Sequence, residues 1–226
     1  MNKTVFFLYL IFSLSFISAA EAGKDKYYYD YIHKATGEVR EKHKVVMEDL
    51  KDGLMAIDRE VESADKALIE EMIVDEEGST ISWMVKDEKN NTDYQGKREG
   101  NKLILTGKKK GKVIDKEVEL DDKLFYFTPK FNLTPFILSE AEQVRFWMLR
   151  KDELTKYLMQ AKKKAIETLE IDGEKVEVIR VYYSATGPGE KFYKRTYYFR
   201  KSDGIFLKKK APKKAKSLVG VLVKEK

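Results

Sequence analysis

Sorted by what their side chains can do, the residues of this chain offer few catalytic arrangements. The two histidines, His33 and His43, have no H-E-x-x-H or comparable carboxylate spacing around them, so nothing in the sequence supports a metal site. Both read as surface or strand-edge residues. Glu70/Glu71 and Asp121/Asp122 are carboxylate pairs, but adjacent residues on a strand point to opposite faces and cannot share one substrate bond. The run Gly107-Lys-Lys-Lys-Gly111-Lys112-Val113 is one spacer short of a phosphate loop and carries valine where Ser or Thr must meet magnesium. Residues 87–96 lack the glycine and bidentate Glu positions of a calcium hand. There is no G-x-S-x-G elbow and no cysteine, which removes thiolate chemistry and disulfides. The expectation is a non-enzymatic protein with no cofactor and no metal.

Binding chemistry is better represented. Lys208, Lys209, Lys210, Lys213 and Lys214 form a basic stretch next to the aromatic run of residues 191–201, KFYKRTYYFRK. Interleaved aromatic and basic residues hold single-stranded nucleic acid. Lysine is also the usual guard of strand edges and hairpin ends. A solvated basic face is one reading, and contact with an anionic membrane surface is the other. A second feature is apolar excess on both faces of several runs: Phe125 and Phe127 oppose Leu124 and Tyr126, and Phe146 and Met148 oppose Trp147 and Leu149. Strands of that kind are buried on both sides by a second layer, or they line a cavity suited to acyl ligands. The candidate lining residues are Trp83, Phe125, Phe127, Phe136, Phe146, Trp147 and Met159.

The elements that must position these residues are short strands broken by turn signals. Residues 26–33 are aromatic and β-prone. Residues 38–49 and 54–61 flank Lys51-Asp52-Gly53, and residues 67–74 and 80–87 flank Glu76-Glu77-Gly78, both hairpin signals. Thr134 before Pro135 predicts a short helix over residues 135–142 with Thr134 as N-cap. Residues 154–166 fit either a helix stripe or a strand face, and from Tyr157 onward the strand reading runs directly into Asp172-Gly173 and the valine-rich run after it. Roughly ten to twelve strands and one helix follow, joined by hairpin-length connections.

Composition sets the compartment. The chain has 226 residues, with 44 Lys and Arg against 38 Asp and Glu, for a formal charge of +6. So balanced a count is unlike a dedicated nucleic-acid binder. Lys3, the apolar run of residues 5–17 and the small residues Ser18, Ala19, Ala20 and Ala22 have the layout of a signal peptide cleaved after Ala20 or Ala22. The absence of a cysteine at that point excludes a lipoprotein. Residues 1–22 are thus read as a signal peptide and residues 23–226 as a single periplasmic β domain that meets no nucleic acid.

The aromatic first strand with its turn glycine (Tyr27, Tyr29, Gly37) and the Thr134-Pro135 helix form part of a pattern. The run VRFWML, the turn Glu167…Asp172-Gly173 and the closing YYFRKSDGIFLKKK complete it. Together they resemble periplasmic bacterial proteins of unknown function whose sheets look like the half-barrel of the lipoprotein carriers. The resemblance implies a mainly β fold, a strongly curved antiparallel sheet with one short helix on the concave side. It also implies, by analogy, a hydrophobic ligand such as a lipid or acyl chain. The alternative is a cell-envelope interaction module that meets a protein partner through a sheet edge or basic face and has no ligand cavity.

Overall fold

Alternation of apolar and charged residues builds the sheet. In the segment Met55–Ser63, Ile57, Arg59 and Val61 are buried, whereas Asp58, Glu60 and Glu62 are exposed. That period of two defines an inner and an outer face. The computed structural model describes residues 24–171, 173–187, 193–210 and 218–225. The expected signal peptide, Asp172, Lys213 and Lys214 lie outside the described residues.

Eight strands form a first meander: β1 (Lys24–His33), β2 (Val39–Asp49), β3 (Met55–Ser63), β4 (Ala67–Val74), β5 (Thr80–Asp87), β6 (Thr92–Glu99), β7 (Lys102–Lys109) and β8 (Lys112–Glu119). A short strand, β9 (Leu124–Phe125), and two helices, α1 (Pro129–Asn132) and α2 (Thr134–Leu138), follow. The second meander is β10 (Gln143–Arg150), β11 (Thr155–Ile171), β12 (Glu174–Ala185), β13 (Lys194–Arg200), β14 (Phe206–Lys210) and β15 (Leu218–Glu225). All fifteen belong to one curled sheet, in which β1 pairs with β15 and so joins the two meanders. Every pairing is antiparallel except that of β9 with β10. The mainly β, strongly curved sheet matches the expectation. It holds more strands than the ten to twelve expected, and the region left between helix and strand is the long strand β11, which bulges between Lys163 and Ala165.

The helical expectation needs correction. The helix over 134–138 stops at Leu138, because Ser139 is extended (φ −77°, ψ 169°), and α1 precedes it. Thr134 does not cap α2. Its hydroxyl donates instead to the Gly204 carbonyl at 3.2 Å, in the β13–β14 turn. Asn132 Nδ2 likewise donates to Gly78 O (2.7 Å) and Thr80 Oγ1 (2.9 Å) at the β4–β5 turn. These long-range bonds, rather than local capping, hold the helical segment as a plug in one end of the curled sheet. The segment of residues 124–128, which begins as β9 on the edge of the sheet, also ties the plug to the β4–β5 turn. The Phe125 N–H donates to Ser79 Oγ (3.0 Å) and the Phe127 N–H to Thr80 Oγ1 (3.2 Å).

Next to the plug the interior is packed ring on ring. Trp83 stacks on Phe127 with ring centroids 4.9 Å apart and lies 5.2 Å from Phe125, while Tyr126 packs on Phe146 at 4.2 Å. Gly96 on β6 makes room for the indole: a Cβ there would lie 2.1 Å from the Trp83 ring. Across the seam between the sheet's two ends no ladder forms. Lysine side chains bridge it to backbone carbonyls, with Lys109 reaching Lys151 and Asp152, Lys156 reaching Glu119, and Lys116 donating to Leu154 O at 2.8 Å.

Candidate functional site

Away from the plug, the curled sheet encloses a cavity of about 1080 Å³ that reaches the β3–β4, β5–β6, β7–β8 and β10–β11 turns. Its floor is the segment Phe127, Thr128, Pro129 and Lys130. Apolar patches come from Val61, Leu68, Val85, Met148 and Met159. The tyrosines Tyr31, Tyr94, Tyr183 and Tyr197 add rings that present both an apolar body and a hydroxyl. Tyr31 lies flat on Gly220 of β15, where a Cβ would come within 2.7 Å of its ring.

The floor carries a buried charge cluster. Arg59 and Glu70 face each other across the β3–β4 ladder, with Nη2 2.8 Å from Oε2. Lys151, from the β10–β11 turn, binds the other oxygen of Glu70 and lies 4.2 Å over the Phe127 ring. Glu70 is fully buried. Burial alone would raise its carboxyl, but the Arg59, Lys151 and Lys130 charges override it and hold it at about 2. Burial pushes Lys151 down to about 8, against the pull of Glu70.

Lys130 stands apart from this network. Its Nζ meets the Tyr31 hydroxyl at 2.6 Å and sits over the rings of Phe131 (4.7 Å), Tyr31 (4.9 Å) and Phe206 (5.7 Å). Among the described residues no carboxylate comes within ion-pair distance of it. Burial and the Arg59 charge drive its ammonium well below the ordinary lysine range. Arg59 Nε is also buried without a hydrogen-bond partner. Beside them His43, stacked on Tyr31 at 4.1 Å, donates through Nε2 to Glu41 Oε2 at 3.0 Å, and Lys66 holds the second oxygen at 3.0 Å. Burial lowers His43 to about 3, so the ring is neutral, with its proton on Nε2 and Nδ1 bare. His43 is therefore 5% exposed and interior, not the surface or strand-edge residue its sequence context suggests.

The aromatic candidates divide by depth. Phe127 and Met159 line the cavity. Trp83, Phe125 and Phe146 pack in the ring-packed region beside the plug. Phe136 is buried in α2 with the Lys163 ammonium 5.0 Å from its ring. Trp147 points the other way from Phe146 on β10; its indole donates to Asp121 Oδ1 at 2.6 Å and Lys156 lies over it at 4.6 Å. Of the basic stretch, Lys209 faces inward and lines the cavity, opposite in parity to Lys208 and Lys210 on β14. The lysines are thus not one surface patch.

The buried charges Arg59, Glu70, Lys130 and Lys151 are not among the sequence-derived lining candidates. A signal for two of them exists: Arg59 sits in phase with Ile57 and Val61, and Glu70 in phase with Met72 and Val74, both at inward positions.

Together the curled sheet, the plug and the one-ended cavity define a β-barrel-like protein. No protein-family profile matches the chain, and no curated protein matches it. Among solved structures it is similar to a β-barrel-like protein of a domain of unknown function, DUF1849, from Brucella abortus, with a TM-score of 0.53 and 13% identity over 90% of this chain and 97% of that one. At that identity the likeness extends to the fold alone.

Proposed function

We propose that the chain is a periplasmic, non-enzymatic protein that binds or carries an amphiphilic ligand, a lipid or acyl chain, in the cavity above the plug. The carrying observation is the cavity itself. At about 1080 Å³ it is at the upper end of the range for small-molecule sites. Its Met148 and Met159 thioethers adapt to a flexible chain. The test is to purify the exported protein, extract it with organic solvent and look for lipid by mass spectrometry. Stoichiometric lipid supports the reading. A preparation that is repeatedly empty, with Trp83 emission unmoved by fatty acids or phospholipids, overturns it. Trp83 is a suitable reporter because it stacks on Phe127, which lines the cavity.

A second reading, an envelope interaction module, draws on the far part of the β11–β12 hairpin. β10 pairs with β11 only as far as Lys162, so residues 163–171 extend past it, and Ile166 there is 58% exposed. Retrieval of one envelope protein, lost on Ile166→Lys, favours this reading.

A further inference from the structure

We propose that the cavity floor is an anion receptor, in which Arg59, Lys130 and Tyr31 hold the carboxylate or phosphate head of the ligand while its tail points toward the open end. This rests on the binding reading above and names the chemical class it selects.

The charge balance leads to it. Nine Lys and Arg side chains line the cavity against five Asp and Glu. At the floor the imbalance is local: Arg59 and Lys151 take the two oxygens of Glu70, and Lys130 lies near them outside these ion pairs. Lys130 has only the Tyr31 hydroxyl, and Arg59 Nε has nothing. Both side chains belong to residues only 8% exposed. A buried cation without a counter-charge is costly to maintain. A fold that keeps two incompletely satisfied cations at the blind end of a cavity is arranged to receive a negative charge. A neutral or cationic head would leave these groups as they are and add its own desolvation.

Lys130 also links binding to protons. It is faced by Tyr29 and Tyr31 from β1, Arg59 from β3, Glu70 from β4, Lys151 from the β10–β11 turn and Lys209 from β14, with the Phe131 and Phe206 rings alongside. Cations outnumber the single carboxylate among these groups, and with burial they depress its ammonium. An arriving anion reverses that balance and favours the ammonium form of Lys130, so the anion and the proton on Lys130 support each other.

The experiment is titration calorimetry on the unaltered protein with five ligands: dodecanoate, dodecyl phosphate, dodecanol, methyl dodecanoate and inorganic phosphate. Dodecanoate and dodecyl phosphate are expected to bind at least about tenfold more tightly than the two uncharged compounds, the usual effect of charge-assisted hydrogen bonds. Heats measured in buffers of different ionisation enthalpy are expected to show proton uptake with the two anions only. Lys130→Met is expected to reduce the preference about tenfold and to abolish the proton uptake, whereas Tyr31→Phe is expected to reduce the preference several-fold and keep the uptake. Equal affinity for acid, alcohol and ester overturns the anion receptor and leaves acyl binding standing. Phosphate binding as tightly as dodecyl phosphate keeps the receptor and overturns the acyl reading. Failure of all five to bind overturns both.

Discussion

On the plug side of Phe127 the interior consists of Trp83, Phe125, Tyr126 and Phe146, packed ring on ring. On the other side, within the same sheet, stand Arg59, Glu70, Lys130 and Lys151 around an open cavity. Strand alternation treats the two regions alike, since Trp83 and Phe146 on one side and Arg59 and Glu70 on the other all occupy buried positions of their strands. The difference is depth. Where the helical segment fills the curl, inward positions must be apolar; where it stops, they face space and can hold charge. An inward-facing residue in this fold is therefore core or site according to its distance from the plug.

The largest test of the contrast replaces one residue on each side. Glu70→Ala leaves Arg59, Lys151 and Lys130 buried together without a counter-charge and is expected to cost about 3–5 kcal/mol in urea denaturation at pH 7. Phe125→Ala, a cavity-forming change in the ring-packed region, is expected to cost about 3–5 kcal/mol as well. An anion that can enter the cavity, such as phosphate, should restore part of the first loss by pairing with those cations and none of the second. Equal phosphate response of the two variants would break the distinction.

Acid should separate the regions next. His43 titrates at about 3 in the folded protein against an ordinary 6.5, so between these values the unfolded chain binds more protons and stability falls as the pH drops. Glu41 and Glu70, both lowered to about 2 from 4.5, remove further stability as the pH falls through that lower window. Thermal melts from pH 7 to pH 3 should show a steady decline, and His43→Gln should flatten its upper part. A wild-type profile that is level from pH 6.5 to pH 3.5 would contradict the burial assigned to the imidazole.

Smaller again is Gly96→Ala. The added methyl meets the Trp83 ring and is expected to cost about 1–3 kcal/mol by overpacking, with a shift in indole emission. Dodecanoate affinity should hold, since the strain lies on the ring-packed side. An equal loss of affinity would show that the two interiors are mechanically coupled.

The in-and-out pattern was legible in the sequence and the depth was not. Strand alternation and the turns Lys51-Asp52-Gly53 and Ser202-Asp203-Gly204 are local signals, and the curved sheet follows from them. The plug depends on Asn132 reaching Gly78 and Thr134 reaching Gly204, partners 54 and 70 residues away. Without it, Trp83 and Phe127 read as equivalent lining candidates, though only Phe127 lines the cavity. Arg59 and Glu70 sit visibly at inward positions, but their pairing depends on the β3–β4 register, which converts two isolated charges into an ion pair. Lys130 carries no local signal, because its burial is produced entirely by the placement of α1.

The pairing of β1 with β15 also bears on how the molecule is made. Each meander grows by hairpins between successive strands, steps that close short loops and proceed quickly. Among the described residues the two meanders share a ladder only through β15, whose partners on β1 lie nearly two hundred residues earlier in the chain. That junction is a contact of very high order and forms late. A chain still being synthesised has its first eight strands available before their lateral partner exists. Until β15 arrives, β1 presents a bare aromatic edge, the part of the nascent protein most in need of protection from pairing with another chain.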